Sequence, residues 1–444
     1  AAPAMMGVVM PSLPDGPRAP RALQTARWIA RPAAFMEESQ RRHGDMFTLR
    51  IANEGTWVFV SHPDAVKQVF TGDPRLLHAG EANVVLLPVL GSHSVLLLDE
   101  DAHMAQRKLM LPPFHGERMR GYEETMADAA VRQLERWPVG EPIETLPTMQ
   151  AITLDVIMRT VFGVRETSRV ERLGEVLQRG LSWLANPRRM VPLAVLGPRR
   201  VAERGTIQHA LQPADDLIYE EIRTRRNAAD LAERDDILSL LLQARHDDGS
   251  EMTDKELRDE LMTLLVAGHE TSATALAWAL EALTHHPQAL ARLRDEIDAG
   301  EEVYLDAVVK EVLRLRPVLA LVLRRLIEPM EIGGRLLPAG VTVAPCIYLL
   351  HRRPDVYDNP RAFRPERFLE QPAGTYTWIP FGGGVRRCLG ASFAQLEMKV
   401  VLRELVARLD VRAARPTPER RVRRAIVFAP ERGGEIVVTS ARPT

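Results

Sequence analysis

Residues 381–390 read Phe381-Gly382-Gly383-Gly384-Val385-Arg386-Arg387-Cys388-Leu389-Gly390, and the stretch that follows, ASFAQLEMKVVLRELVARL, keeps helical periodicity throughout. Cys388 therefore stands just before a helix start. Free backbone N–H groups and the positive end of the helix dipole there favour a thiolate over a thiol. The glycines let the backbone approach a flat group closely. Phe381 is placed to shield the sulfur, and Arg386 offers a cation to a carboxylate. A lone cysteine is more often a buried structural residue, but the helix start, the aromatic ring and the arginine together argue for a ligand.

Working outward, the next informative segment lies upstream. Thr253-Asp254-Lys255-Glu256 has the form of a capping box. The chain then reads helical to His286, where Pro287 stops it. A helix of that span is about 45–50 Å long at ~1.5 Å per residue. Residues 261–268, LMTLLVAG, are apolar on every side, which implies burial through the middle of the molecule. The polar cluster His269-Glu270-Thr271-Ser272 then needs partners.

Other helical patterns cover residues 33–43, 102–111, 117–136, 148–163, 168–184, 199–226 and 235–244. Strand-like runs occur at Met46–Ile51 and Thr56–Val60, and after Pro317 in VLALVLRR, MEIGG and VTVAPC. A last strand pair is expected from RRAIVFAP and GEIVVTS. The Pro-rich stretch 11–20 should be extended. The fold class is mainly α with a small β region supplied by both ends. Residues 1–444 read as a single domain with an extended N-terminal segment over 1–20.

Net charge is −1, which gives no sign of nucleic-acid binding. Two cysteines, Cys346 and Cys388, exclude a disulfide framework and fit a reducing, cytoplasmic location. No uncharged apolar run approaches the ~18–20 residues that cross a bilayer, so no membrane association is expected. The opening AAPAMMGVVM lacks a basic n-region and is read as a frayed end. No Cys-x-x-Cys or His-x-x-x-His pair supports a zinc site.

At every defined position, residues 381–390 resemble the haem-binding signature of the cytochrome P450 family, Phe-x-x-Gly-x-Arg-x-Cys-x-Gly. The resemblance implies the cytochrome P450 fold with a long central helix over haem b, and Cys388 as the thiolate ligand of the iron. Phe381, Gly384, Arg386 and Gly390 would be cofactor contacts. Further motifs follow in the family's order. Glu311 and Arg314 in KEVLRLRP resemble its Glu-x-x-Arg element, and Arg367 in FRPERF its third member, a structural network. Ala267-Gly268-His269-Glu270-Thr271 resembles the family's distal segment. There Ala267 and Gly268 would let the helix approach the haem, and Glu270 and Thr271 would hold dioxygen and relay protons. His269, at the variable position, is given a structural or solvent-facing role. His103 and Arg107, one turn apart, with Arg324, His351 and Arg386, would meet the haem propionates; Arg325 leaves the register of Arg324 open by one. The connection over 295–305 is shorter than is usual in the family.

The activity so implied is insertion of one oxygen atom from O2 into a lipophilic small molecule by a monomeric monooxygenase. The 56 residues after Cys388 hold no flavin or iron–sulfur module. Electrons would come from a separate ferredoxin and its NAD(P)H-driven ferredoxin reductase, docked by Arg107, Lys108, Arg352, Arg353 and Arg387 near the cysteine face. The pocket walls would include Leu86, Leu87, Leu90, Leu264, Leu321 and Val427, with parts of 175–195. The alternatives are a peroxygenase, an isomerase or a non-catalytic haem binder of the same fold.

Overall fold

The computed structural model describes residues 10–442 except 117, 165, 167–168, 170–173, 177–178 and 180–196. The long helix is Asp254–Thr284, 31 residues. Its start is fixed by a reciprocal box, in which Glu256 N donates to Thr253 Oγ1 and Thr253 N to the Glu256 carboxylate. Helices Thr145–Thr160, Thr206–Arg226, Val303–Leu315 and Ala391–Arg408 pack around it. Trp278, fully buried, donates Nε1 to Phe428 O over 2.8 Å and ties it to the C-terminal strands.

Most helical patterns find their counterparts, among them Pro32–His43, Glu100–Met110, Arg118–Leu134 and Ile237–Gln243. The pattern over 199–226 divides into Pro198–Glu203 and Thr206–Arg226 because Gly205 takes a left-handed conformation, φ 66°. Most of 168–184 lies outside the described residues. Helices Arg21–Ala30 and Pro63–Thr71 were not anticipated; the second starts on a proline, whose missing N–H costs nothing in the first turn.

The main sheet has five strands in the order Met46–Ile51, Gly55–Val60, Thr342–Pro345, Arg324–Leu326, Leu77–His78. Only the pairing of Gly55–Val60 with Thr342–Pro345 is parallel. The run VLALVLRR yields only its end as strand. Its earlier backbone groups go singly to different partners: Val318 O to Phe428 N, Ala320 O to Tyr348 N, and Val322 N to Pro345 O. The expected terminal pair is also corrected. RRAIVFAP folds on itself as a hairpin, Arg421–Arg424 against Val427–Pro430, turning at Ala425 with φ 50°. Glu435–Ala441 pairs instead with Leu409–Ala413 and Pro142–Glu144.

The short connection after Asp298 closes cleanly. The Glu296 carboxylate accepts from Tyr304 N (2.5 Å) and Leu305 N (2.8 Å), so it caps the N-terminus of Val303–Leu315. Among the described residues no helix is long and apolar enough to cross a membrane.

Candidate functional site

The cysteine segment is a tight loop between the sheet side of the molecule and helix Ala391–Arg408. Cys388 N donates to Phe381 O over 3.0 Å and closes it. Phe381 is half-buried and meets Trp378 edge-on, 6.1 Å between centroids. The glycines correct the sequence reading in part. A Cβ on Gly383 would stand 2.2 Å from the Phe70 ring, and one on Gly384, at φ 66°, 2.0 Å from Phe70 O. Those two glycines admit helix Pro63–Thr71, and their absent side chains are explained without any cofactor. Gly390 caps the helix at φ −84°, and nothing lies within 4 Å of a Cβ there.

Cys388 has accessible surface, but it opens from a densely enclosed position. This enclosure pushes the thiol up; the Gly390 N–H, Arg107 and Arg387 pull the other way and do not win. The helix start alone therefore does not make the thiolate, and a bound cation would have to complete its ionisation. Cys346, fully buried against Met36 and Ala320 O, is pushed up to about 12 and is inert.

Beside the cysteine, positive charge is gathered with little to balance it. Arg386 donates to Val95 O (3.3 Å), Leu98 O (2.6 Å) and Asp99 Oδ1 (2.6 Å), while its Nε has no partner among the described residues. Arg324 is buried, and among the described residues its side chain bonds only to its own neighbour, Leu323 O. Burial depresses both guanidiniums to about 10, with Arg386 adding to it at Arg324 and Arg107 at Arg386. Arg324, and not Arg325, is thus the strand arginine on this side. His103, one turn before Arg107, is held neutral, near 3, by burial and by Arg386, Arg107 and Arg324. Among the described residues Asp99 is the only carboxylate acting on Arg324 and Arg386. A buried cation surplus is unfavourable without a counter-anion. The two carboxylates of haem b supply one, and a neutral imidazole N–H and an orphaned guanidinium N–H supply donors, so the residues present fit the group.

His351 does not belong to this set. Fully buried, it lies with Nδ1 3.2 Å from Arg314 O, and its Nε2 accepts from Ile379 N over 2.9 Å. Both ring nitrogens are taken by backbone, so its place is in the scaffold. The docking set also shrinks. Arg107 and Arg387 act on Cys388, but Lys108 pairs with Asp247, Arg353 pairs with Asp45 and Asp355, and Arg352 is drawn inward to Tyr348 O and Leu315 O.

On the central helix, Ala267 is exposed although the helix is otherwise largely enclosed, and Leu264 and Thr271 are part-exposed at one-turn spacings from it. These three residues share one open face. Gly268 does not: its Cβ would meet Ile157 Cδ1 at 3.3 Å, so it lets helix Thr145–Thr160 approach. Thr271 Oγ1 donates to Ala267 O (2.5 Å). Glu270 accepts from Gln150 Nε2 (2.6 Å), and burial raises its carboxyl against the pull of Gln150 and Arg424. His269 is buried against Thr153 Oγ1 at 3.0 Å and is depressed to about 4 by burial, a structural group.

Of the expected pocket residues, Leu86, Leu87, Leu264 and Leu321 are part-exposed, whereas Leu90 and Val427 are packed into the core. Leu90 points inward because its segment is clamped to the central helix. Asp259 accepts from His93 N, Glu260 from Val95 N, and Thr263 donates to Ser94 Oγ. Sequence reasoning missed this clamp and Asp99; an acidic residue just before helix Glu100–Met110 was the one available signal.

Glu311 and Arg314, both fully buried, form a two-pronged ion pair at 2.7 and 2.8 Å. Arg367 adds Nε at 3.1 Å and Arg364 N donates at 2.8 Å. Arg314 also binds His351 O, Pro360 O and Ala362 O, so one side chain staples the long segment that precedes the cysteine loop.

A solitary cysteine at a helix start, a balancing cluster of buried cations and a threonine on the open face of a long helix define a haem-thiolate protein. The comparisons agree. Residues 11–436 match the family model described as Cytochrome P450. The Mycobacterium tuberculosis protein named cytochrome P450 135B1 is 42% identical, over 99% of this chain and 94% of its own. Cytochrome P450 135A1 of the same organism is 38% identical, over 97% and 96%. Among solved structures, retinoic acid-bound cyanobacterial CYP120A1 superposes with TM-score 0.82 at 26% identity, over 97% of this chain and 100% of that one. The chain belongs to the cytochrome P450 family, with the haem-dependent oxidoreductase chemistry of that family.

Proposed function

We propose that the protein is a monooxygenase that inserts one oxygen atom from O2 into a lipophilic small molecule. The observation that carries this reading is Thr271 on the open face of the central helix, next to Glu270, a carboxyl that burial keeps ready to hold a proton. Haem, when bound, supplies the reductive activation of dioxygen. Cys388 would hold the iron; His103, Arg107, Arg324 and Arg386 would hold the propionates.

The chain's own residues do the rest. The Thr271 hydroxyl gives its proton to Ala267 O, so its oxygen is free to accept from a donor in the recess. Burial raises the neighbouring Glu270 carboxyl, which would take up and pass on a proton beside Gln150 and Arg424. Leu86, Leu87, Leu264 and Leu321 offer aliphatic surface, which suits a lipophilic substrate and excludes water. Electrons come from a separate ferredoxin and reductase, met by Arg107 and Arg387. A peroxygenase has no need of the acid–alcohol pair. The deciding experiment compares turnover with NADPH, ferredoxin and reductase against turnover with hydrogen peroxide across a lipophilic substrate panel. The first should give hydroxylated product; product from peroxide alone would contradict the proposal.

A further inference from the structure

A second gathering of positive charge takes no part in the chemistry above. Arg316 follows helix Val303–Leu315, Arg352 follows His351, and Arg421 opens the hairpin Arg421–Arg424/Val427–Pro430. Arg352 Nη2 and Arg421 Nη2 both donate to Leu315 O, at 2.5 and 3.5 Å, so the three arginines meet at the end of that helix. Each lies over an aromatic ring. Arg352 stands 3.7 Å and Arg421 5.3 Å from the Tyr348 centroid, and Arg316 4.7 Å from that of Trp278. All three side chains remain part-exposed, so the cluster is open to a solute.

Little balances this charge. The helix end contributes about half an elementary negative charge. Glu281 Oε2 is 3.7 Å from Arg316 Nη2, and the other oxygen of that carboxylate accepts from Glu419 N over 2.9 Å. Glu37 accepts from the Tyr348 hydroxyl (2.7 Å) and pairs with Arg361 (3.3 Å); it acts on Arg352 by charge alone. The Nε of Arg316 and that of Arg421 have no partner among the described residues. Burial and then Arg421 hold Arg316 down to about 10, with Glu281 opposing. Burial, Arg421, Arg316 and Arg314 hold Arg352 down to about 9, with Tyr348 opposing. A guanidinium does not give up its proton at neutral pH, so the surplus persists and calls for a counter-anion.

We propose that Arg316, Arg352 and Arg421 form a binding site for a small oxyanion of the phosphate class, set between the end of helix Val303–Leu315 and the hairpin. Guanidinium forks match the oxygens of such an anion, and the orphaned N–H groups are ready donors. Seated there, the anion joins Arg421 of the hairpin to Arg316 and Arg352 of the body. Phe428 N, on the second strand of the hairpin, donates to Val318 O over 2.8 Å, so the hairpin in turn supports the segment that leads to Leu321. The site stands whichever reaction the haem carries out.

Equilibrium dialysis of the haem-loaded protein against radiolabelled inorganic phosphate, in chloride buffer of constant ionic strength, tests this. Wild type should retain about one phosphate per chain, displaced by sulfate, and Arg316→Gln and Arg421→Gln should each bind about tenfold more weakly or worse. Thermal unfolding adds a readout that a structural role would not move. The Glu281 contact of Arg316 is long, so in chloride Arg316→Gln relieves repulsion and should match or exceed the wild-type Tm. In phosphate, wild type should gain about 2 °C or more beyond the gain of the variant. The general strengthening of burial by phosphate is common to both and cancels. A phosphomonoester in place of phosphate distinguishes the source: tighter binding assigns the site to a phosphate carried on a larger molecule, weaker binding to the free ion. If Arg316→Gln does not fold, the wild-type dialysis and Arg421→Gln still decide. No phosphate retained by wild type at millimolar concentration, equal binding in wild type and variants, or an equal Tm gain in both would overturn the inference and leave an adventitious ion only.

Discussion

Thr271 donates its hydroxyl proton to the carbonyl of Ala267, one turn earlier, across 2.5 Å. Such back-bonding is common in helices and often inert. Here it sits on the open face of the helix, and it fixes the hydroxyl as an acceptor toward the recess. Thr271→Ala should lower product formed per NADPH on the order of tenfold to a hundredfold, with hydrogen peroxide rising in step. Thr271→Ser, which can keep the bond, should stay near wild type. Unchanged coupling in the alanine variant would remove the role.

Glu311 and Arg314 share a site with no exposure. Removing one partner of such a pair strands a buried charge and costs roughly 3–5 kcal/mol. Glu311→Ala leaves Arg314 and Arg367 without their carboxylate, and the segment they hold precedes the cysteine loop. The expected outcome is mostly haem-free or insoluble protein, read as the ratio of haem to protein after purification. Normal loading would show that the backbone acceptors alone hold Arg314 in place.

The glycines of the cysteine loop are not equivalent. Gly384→Ala would force a Cβ to 2.0 Å from Phe70 O at a positive φ, whereas Gly390→Ala meets no atom within 4 Å. The first should lower Tm by several degrees and haem content with it, and the second much less. Equal tolerance would mean that helix Pro63–Thr71 moves away at little cost.

His269 carries a pH signature. Its folded pKa, about 4, lies below the ordinary value of 6.5 because burial disfavours the charged form. The unfolded chain therefore binds a proton that the folded chain refuses between those values. Stability from this group is fully present above about pH 6.5 and is lost as pH falls toward 4, with a slope near ~1.4 kcal/mol per pH unit. Denaturant unfolding of His269→Gln should show that slope reduced by about one proton's worth. An unchanged slope would place the acid sensitivity elsewhere.

Much of the fold was legible because its signals are local. The capping box at Thr253–Glu256 and the proline at 287 delimit the central helix in sequence as in space. Cys388 announces itself by its neighbours. What misled was long-range. Whether a histidine such as His351 faces a ligand or a backbone carbonyl depends on Ile379 and Arg314, which no spacing reports. Gly268, Gly383 and Gly384 are small for the sake of Ile157 and Phe70, residues far away in the chain. Arg352 and Arg353 read as surface charge, yet Leu315 O, Tyr348 O, Asp45 and Asp355 claim them. Leu90 and Val427 have the composition of a pocket and the burial of a core, a distinction that composition cannot make.

The central claim is that Cys388 holds the haem iron as a thiolate although the protein's own surroundings push its thiol up. The difference spectrum of the reduced, carbon monoxide-bound protein tests this most directly. The account predicts a Soret band at the red-shifted thiolate position in wild type and its loss in Cys388→Ser. A band at the histidine-like position in wild type, or a thiolate band that survives in Cys388→Ser, would contradict it.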